Sequence, residues 1–233
     1  MNEKTMRAIE HAANQMSQAA TVEETLQVIA ASAAEAIPSF EHISVTTRER
    51  SEVLTTRAAT SDLARELDAV QYGLGEGPCV DAIAQAGVVV AAHLKIDQRW
   101  SNYVPEAVAL GVKSQMGVRF HLENGGTLGG LNLYSTVSEV VDGDDVAAAA
   151  AFAMHAALAL GQAHEVAGLS RAVESRQSVG QAIGILMERY RMDETAAHAF
   201  LWRASSTSNI KVRDVAATLV EEANVKAGRP TSQ

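Results

Sequence analysis

Apolar residues recur with a helical period at both ends of the chain and with a period of two in between. The first repeat consists of Met6, Ile9, Ala13, Met16 and Ala20. These residues are separated alternately by three and four positions, which is the spacing of a coiled-coil seam. We therefore expect this helix either to pack on the rest of the chain or to contact a second copy.

A second helical stripe runs from Val22 to Ala36. Thr21 and Glu24 precede it in the T-x-x-E arrangement of a capping box, in which each residue satisfies a free amide of the first turn. Pro38 follows it and ends the helix. The first 37 residues are therefore predicted to form two helices.

Strand-like alternation begins at His42, where five residues alternate as a half-buried strand should. The other predicted strands are 53–59, 88–92, 114–122 and 127–134, and helices are predicted at 62–70 and 100–110. A charged turn at 48–52 and a Glu-Asn-Gly-Gly hairpin turn at 123–126 connect neighbouring strands. The middle of the chain is predicted to be a mostly antiparallel sheet.

Helical patterning returns at Asp142 and continues through an alanine-rich tract past Arg176 without proline, so one helix is predicted to cross a domain boundary. A helix from Glu194, a polar turn at Ser205–Asn209 and a helix from Val212 follow. The predicted fold is an α+β domain, with an antiparallel sheet between helices, followed by an all-α three-helix domain. The expected boundaries are 1–37 for the N-terminal helices, 38–163 for the α+β domain and 164–233 for the helical domain.

Composition and charge narrow the function classes. The 233 residues carry a net charge of −9, which argues against a protein that coats nucleic acid through bulk charge. That charge is uneven, at −10 over residues 1–163 and +1 over residues 164–233. The lone Cys79 excludes an internal disulfide and a cysteine-based zinc cluster, and is expected to be buried and inert, with redox sensing as the alternative.

Several site types are not indicated by the sequence. The histidines have no metal-ligand spacing, and neither a nucleophile elbow nor a Walker motif is present. We therefore predict no catalytic residues, no metal and no cofactor. The sequence indicates neither a membrane-spanning segment nor a signal peptide, so we expect a cytoplasmic protein.

Two glycines stand four residues apart in the predicted long helix, at Gly180 and Gly184. Each costs about 1 kcal/mol of helix propensity relative to alanine. Close approach of another helix or of a ligand commonly offsets such a cost.

The segment SRQSVGQAIGILMERYRMDETAAHAFLWRASSTSNIKVRDVAATLV resembles an ANTAR domain, the RNA-binding module of transcription antiterminators. Gly-Gln-Ala at 180–182, Gly-Ile-Leu-Met-Glu at 184–188 and Arg-Asp-Val-Ala at 213–216 carry the resemblance. It implies an RNA-binding surface, for which the candidate residues are Arg176, Gln181, Ser208, Asn209, Lys211 and Arg213. Family members commonly have lysine where this chain has Ile183, so we expect a cation to be missing from an RNA-facing position.

The preceding domain resembles a GAF domain of the kind that precedes ANTAR in actinobacteria. The residues that carry this resemblance are YGLGEGPCVDAI (72–83), DQRWSNY (97–103), GVKSQMGVRF (111–120) and TLGGLNLYS (127–135). The resemblance implies a six-stranded sheet between helices, a sensing role for an unknown small-molecule or protein signal, and frequent dimerisation. The glycine-rich strand 127–134 and the loop 72–78 predict a cavity on one face of the sheet.

The sequence thus favours a regulator whose sensor domain controls binding to hairpins in nascent RNA and which acts on the RNA polymerase elongation complex indirectly. We expect a homodimer through the N-terminal seam and the long helix. Two alternatives remain open: a DNA-binding regulator with a C-terminal helix-turn-helix, and a GAF-class enzyme. Against the first, the helix from Val212 has one arginine beside several acids.

Overall fold

The computed structural model describes residues 3–48, 53–122 and 126–228. The chain divides into two compact units, Met1–Glu165 and Val166–Gln233. The predicted turns at 48–52 and 123–126 lie largely outside the described residues.

Fifteen elements are described. The main helices are α1 (Glu3–Gln18), α2 (Val22–Ala36), α3 (Asp62–Leu74), α4 (Pro78–Asp81), α5 (Tyr103–Ala109), α6 (Gly143–Tyr190), α7 (Glu194–Ser208) and α8 (Val212–Lys226). A π-helical turn, Ala82–Ala86, continues α4, and a 3-10 turn covers Leu94–Ile96. The strands are β1 (His42–Arg48), β2 (Leu54–Ala59), β3 (Val88–Ala91), β4 (Ser114–His121) and β5 (Thr127–Ser135).

The five strands form one antiparallel sheet in the order β2-β1-β5-β4-β3. The described residues thus contain five strands rather than the six that the resemblance implied. Strand β1 lies between its sequence neighbour β2 and the distant β5, with Ile43 opposite Leu133. The predicted α+β architecture, with helices on both faces of an antiparallel sheet, is confirmed.

The apolar face of the sheet carries the main core of the first unit. Ile43, Val45, Phe120 and Leu131 pack there against buried residues of α1, α2 and the first part of α6. Ile9 and Met16 of the predicted coiled-coil seam are buried in this same core. Two of the five seam residues are therefore packed on their own chain, whereas Met6 is 47% exposed, and a dimer contact through this seam stays a prediction.

Helix α2 begins as the capping box predicted. The hydroxyl of Thr21 accepts a hydrogen bond from the Glu24 amide at 3.1 Å. The Glu24 carboxylate in turn accepts a bond from the amide of Ala20, at 2.8 Å, one residue earlier than the motif requires.

The second unit comprises the last part of α6 together with α7 and α8. Its buried core consists of Ala182, Leu186, Ala197, Leu201 and Ala216. Helix α7 is capped by Asp193, whose side chain accepts a bond from Ala196. It extends to Ser208, and Asn209 follows in a left-handed conformation. The predicted polar turn is accordingly shorter than expected, because residues 205–208 complete the helix.

Helix α6 is one uninterrupted helix of 48 residues, as the sequence predicted. By length and composition alone it could cross a membrane, since one of its windows has a mean hydropathy of 1.5. Core helices of soluble proteins pass the same test. Ala149, Phe152, Ala156 and Leu160 of this helix are fully buried in the sheet core, which is compatible with a soluble protein.

Candidate sensor site and candidate RNA interface

The second face of the sheet is polar, yet it is buried. On β1 the side chains of Ser44 and Thr46 alternate with the apolar Ile43 and Val45, and all four are buried. Because successive side chains of a strand point to opposite faces, the two hydroxyls lie on the face opposite the apolar core. Helices α3 to α5 cover that face, so its polar groups must find partners within the protein.

The Asp68 carboxylate is the centre of this buried polar network. Its Oδ1 accepts hydrogen bonds from Asn132 Nδ2, at 2.8 Å, and from the hydroxyl of Tyr134. Its Oδ2 accepts one from Thr56 Oγ1 at 2.6 Å. The neighbouring elements β2 and α3 are thereby joined to the distant strand β5 at one carboxylate.

A second branch connects α3 to the start of α4. Gln71 donates from Nε2 to the Tyr134 hydroxyl at 2.7 Å and accepts from the Cys79 amide at 3.0 Å. The hydroxyl of Tyr72 bonds to Thr46 and lies 3.6 Å from Cys79 Sγ. Gly117 of β4 permits this arrangement, because a Cβ there would lie 2.6 Å from the carbonyl oxygen of Pro78.

Two polar atoms in this layer have no hydrogen-bond partner among the described residues: Asn132 Oδ1 and Gln115 Nε2. Both residues are fully buried, and Gln115 Oε1 accepts a 2.5 Å bond from Tyr103. Buried polar groups in folded proteins are nearly always paired. One unpaired acceptor and one unpaired donor are therefore buried in this layer, where each lowers the stability of the fold.

Burial changes the acid–base behaviour of this layer. Desolvation raises the pKa of Asp68, and its hydrogen bonds from Thr56, Tyr134, Ser44 and Asn132 only partly oppose that rise. Desolvation also raises the pKa of the Cys79 thiol to about 12. At neutral pH Cys79 is thus a protonated, buried thiol, which counts against redox sensing in the native state.

The predicted cavity was placed beside β5 and the 72–78 loop. There the sheet face is occupied by the chain's own side chains, and Asp68, Gln71, Asn132 and Tyr134 are all fully buried. Trp100 packs in the α3–α5 layer and donates from Nε1 to Asp81 at 3.0 Å. The sheet face beside the 72–78 loop is therefore filled, whereas a groove of about 460 Å³ lies at the start of β5, where Thr127 and Leu128 line it.

The six candidate RNA-binding residues, Arg176, Gln181, Ser208, Asn209, Lys211 and Arg213, are all exposed. Four of them lie within six positions of one another around the turn between α7 and α8. Arg213 forms an exposed ion pair with Asp214, Nε to Oδ1, at 3.2 Å. Such a pair contributes little to stability in water and can be exchanged for a phosphate.

The start of α8 differs from that of α7. Lys211 occupies the N-cap position, and no side chain caps the first-turn amides. Uncapped amides at a helix N-terminus carry a partial positive charge and suit an anion. Lys211 adds a full positive charge at the same point.

Gln181 lies in an open groove of about 670 Å³ between α6 and α8. The groove is lined by Gln181, Gly184, Ile185, Glu188, Arg189, Val220 and Asn224. None of the other five candidate residues lines it in the described part of the chain. Arg176 lies five residues before Gln181, about 140° around the helix, so the two side chains leave α6 in different directions.

Ile183 is partly buried against the core of the second unit. This packing counts against an RNA-facing position, which stays a prediction. Residues 179, 182, 183 and 186 are spaced three, one and three apart and form the inner side of α6. A lysine there would have to extend its ammonium past the core to reach a ligand.

The space beside Gly180 and Gly184 is not filled by described atoms of the chain. A Cβ added at Gly180 or at Gly184 would meet no described atom within 4 Å. Nothing in the described chain therefore offsets the helix-propensity cost of these residues.

Sequence reasoning missed two features. It did not identify the network around Asp68 and Asn132, because polar residues at alternate strand positions read as solvent-facing. It also did not single out Trp202, which is exposed on α7. No group of three or more His, Cys, Asp or Glu side chains in the described ranges is placed to hold a metal ion.

Comparison with known folds agrees with this architecture. The bacteriophytochrome RpBphP3 from R. palustris is 13% identical over 80% of this chain and 42% of its own length, with a TM-score of 0.57. The GAF domain of a phosphoenolpyruvate-protein phosphotransferase from Coxiella burnetii is 15% identical, covering 71% and 97%, with a TM-score of 0.57. The LuxR-family transcription factor CepR2 from Burkholderia cenocepacia is 19% identical, covering 70% and 99%, with a TM-score of 0.56.

At these identities the likeness shows the fold alone. No curated protein matches the sequence. Two domain families do match it: the GAF domain over residues 2–161 and the ANTAR domain over residues 167–220. GAF domains are sensor domains and ANTAR domains are RNA-binding antiterminator domains, and the chain belongs to the family of regulators that join the two.

Proposed function

We propose that this protein is a cytoplasmic transcription antiterminator. Its ANTAR domain, which we place at residues 164–233, binds hairpins in nascent RNA, and its effect on the RNA polymerase elongation complex is indirect. Its GAF domain, at residues 38–163 with the helices of 1–37 packed on it, receives the signal. The observation that carries the proposal is the ANTAR match over α6–α8 together with the uncapped α8 N-terminus beside Lys211 and Arg213.

The RNA site consists of Arg176, Gln181, Ser208, Asn209, Lys211 and Arg213. Lys211, Arg213 and Arg176 contact phosphates, whereas Gln181, from its groove, reads a base edge in the hairpin loop. Unpaired loop bases can be read at their edges, which a closed RNA duplex does not permit. With few phosphate contacts, the salt dependence of binding is shallow.

The test is the triple variant Arg176→Ala, Lys211→Ala, Arg213→Ala. Its affinity for the hairpin pair recovered by crosslinking in cells should fall at least about tenfold, and equally for all hairpins. Gln181→Ala should instead change the preference among loop sequences. A folded triple variant that binds like the parent contradicts the proposal, and preferential binding of duplex DNA over hairpin RNA would favour the helix-turn-helix alternative.

Dimerisation is proposed through the outer side of α6. Val166, Leu169 and Val173 are exposed, and they are separated by three and four residues. Gly180 and Gly184 continue the same side of the helix, and their open space suits close approach of a second copy. A two-hairpin RNA target is matched by a two-fold protein.

Leu169→Glu tests this contact by light scattering. The parent should have the mass of a dimer at micromolar concentration, and the variant that of a monomer. Arg171→Glu, on the opposite side of the helix, is the control and should remain dimeric. A parent that is monomeric under these conditions excludes this part of the proposal.

The signal is proposed to act on the buried network of the GAF domain. The unpaired Asn132 Oδ1 and Gln115 Nε2 favour a small molecule that offers one donor and one acceptor. Binding would replace part of the internal network, and the α3–α5 layer would rearrange. Asn132→Leu should abolish the response of RNA binding to the signal while leaving RNA binding itself unchanged, as measured with cell extract fractions added to a hairpin-binding assay.

A further inference from the structure

We propose that Trp202 is a stacking platform for an unpaired base of the bound RNA. The inference rests on the proposed RNA-binding function and adds a residue to its site. It assigns the role of that residue to base contact rather than to phosphate binding.

The first support is the distribution of aromatic side chains. In the GAF unit Trp100 is 3% exposed, and Phe40, Tyr103, Phe120, Tyr134 and Phe152 are also buried. In the ANTAR unit Trp202 is 59%, Tyr190 56% and Phe200 40% exposed. Tyr190 and Phe200 stack on each other, with ring centroids 6.3 Å apart. No comparable ring contact is described for Trp202.

The second support is the position of Trp202 on α7. Residues 202 and 206 are four apart, so Trp202 and Ser206 share one side of α7, and Asn209 follows the end of the helix in a left-handed conformation. Ser206 is exposed, and Asn209 is a candidate RNA-binding residue at the turn before Lys211. About 10 Å of helix axis separates Trp202 from that turn. Trp202 and Ser206 thus lead along α7 towards the turn that carries the proposed phosphate site.

The third support is the chemistry around the indole. His198, Arg203 and Ser206 on the same helix are exposed, and Ala199 is the small residue one turn away. A protein-docking face needs a contiguous apolar core, whereas the exposed neighbours of the indole along α7 are a histidine, an arginine and a serine. An exposed aromatic ring, with an arginine next to it in the chain, offers stacking for an unpaired base and a positive charge for its phosphate.

The test uses the full chain and a synthetic pool of paired RNA hairpins whose loop positions are randomised. The parent selects its bound members from this pool, and their affinities are then measured by fluorescence anisotropy of labelled RNA. Trp202→Ala should bind these RNAs about 5- to 100-fold more weakly, and Trp202→Phe should retain most of the affinity. Val225→Ala, which removes a similarly exposed apolar side chain from α8, should bind like the parent.

Tryptophan emission gives an independent readout, because the chain contains two tryptophans. Selected RNA should quench the emission of the parent. In Trp202→Phe, which retains the buried Trp100 alone, the same RNA should leave the emission unchanged. Circular dichroism establishes that each variant is folded.

The outcomes distinguish a failure of base stacking by Trp202 from a failure of the proposed RNA-binding function. RNA binding by the parent with unchanged emission and an unaffected Trp202→Ala variant overturns stacking and leaves RNA binding intact. A Trp202→Ala variant that loses self-association but keeps its RNA affinity makes the surface a protein interface and also overturns the inference. A parent that selects no RNA from the pool overturns both.

Discussion

The two units of this chain use their polar and aromatic residues in opposite ways. The GAF unit buries its polar side chains in a network around Asp68 and packs six of its aromatic rings inside. The ANTAR unit has a core of three alanines and two leucines and leaves its three aromatic rings exposed. The first arrangement stabilises the unit from within, whereas the second leaves binding chemistry on the surface. We therefore expect a bound partner to increase the free energy of unfolding of the ANTAR unit more than that of the GAF unit.

The largest expected effect is the destabilisation of the GAF unit by a substitution in its sheet. Gly129→Ala places a methyl group against the backbone of Thr46 at a residue with φ of +151°. Neither backbone can move without separating β1 from β5. We therefore expect the free energy of unfolding to fall by several kcal/mol and the sheet not to form. Solubility and near-ultraviolet circular dichroism of the purified chain measure this. A folded variant with the stability of the parent would show that the β1–β5 contact is not tight.

The next effect concerns the ANTAR core. Leu201→Ala removes a fully buried side chain, which costs about 2–5 kcal/mol. The total free energy of unfolding of a helical unit of this size is little larger than that. The ANTAR unit should therefore unfold while the GAF unit stays folded. Two-dimensional NMR would show loss of dispersed signals from residues after 166 only. Val225→Ala is the exposed control, and loss of both sets of signals would mean that the units do not unfold separately.

A smaller effect depends on pH. Because the pKa of Asp68 is raised in the folded protein, the folded state retains a proton that the unfolded chain has already lost. The free energy of unfolding of the GAF unit should therefore fall as pH rises from the ordinary carboxyl pKa through the raised one, by at most about 1.4 kcal/mol per pH unit. Asp68→Asn should lack this contribution, because an amide does not titrate. The variant can keep its hydrogen bond to Thr56, whose hydroxyl can turn to accept one. Urea unfolding from about pH 4 to 8, with exposed Glu66→Gln as control, measures the difference, and identical slopes would contradict it.

The smallest effect has the opposite sign. Gly180→Ala and Gly184→Ala each add a methyl group in open space on α6, so each should stabilise the ANTAR unit by up to about 1 kcal/mol. The same glycine-to-alanine change that disrupts the GAF sheet at 129 would thus strengthen the ANTAR helix. Thermal unfolding measures the gain, and light scattering of the same samples tests whether it comes at the expense of dimerisation. A decrease in stability would show that other atoms of the chain occupy this space.

The sequence predicted correctly those elements whose residue pattern is compatible with only one local structure. The strands around Ile43 and Leu131, the Thr21 capping box and the uninterrupted helix α6 all follow from local periodicity and capping. The pattern could not show what covers each side of a strand: Ser44 and Thr46 read as solvent-facing, but α3 buries them. It likewise could not distinguish a seam within the chain from one between chains: Ile9 and Met16 of the N-terminal seam pack inside, whereas Met6 is exposed.

The candidate sites show the same limit. The ANTAR motif identified the helices that carry Gln181 and Lys211, but not the direction in which each side chain leaves them. The side of α6 on which Ile183 lies could not be predicted, because three- and four-residue spacing defines a helix side only once the packed core is known. Trp202 carries no motif of its own, and only its exposure in the folded unit distinguishes it from a core residue.

The strand order has a consequence for how the chain is made. The central pairing of β1 with β5 joins residues as distant as Ser44 and Asn132, 88 positions apart. Such non-local pairing folds slowly, whereas the neighbouring helices α7 and α8 make mostly local contacts that form quickly. During synthesis β1 leaves the ribosome with only β2 to pair with, and its other edge stays open until β5 has emerged. The newly made sensor is then a partly formed sheet for much of its translation, and slowing the ribosome beyond residue 135 should increase the yield of native protein.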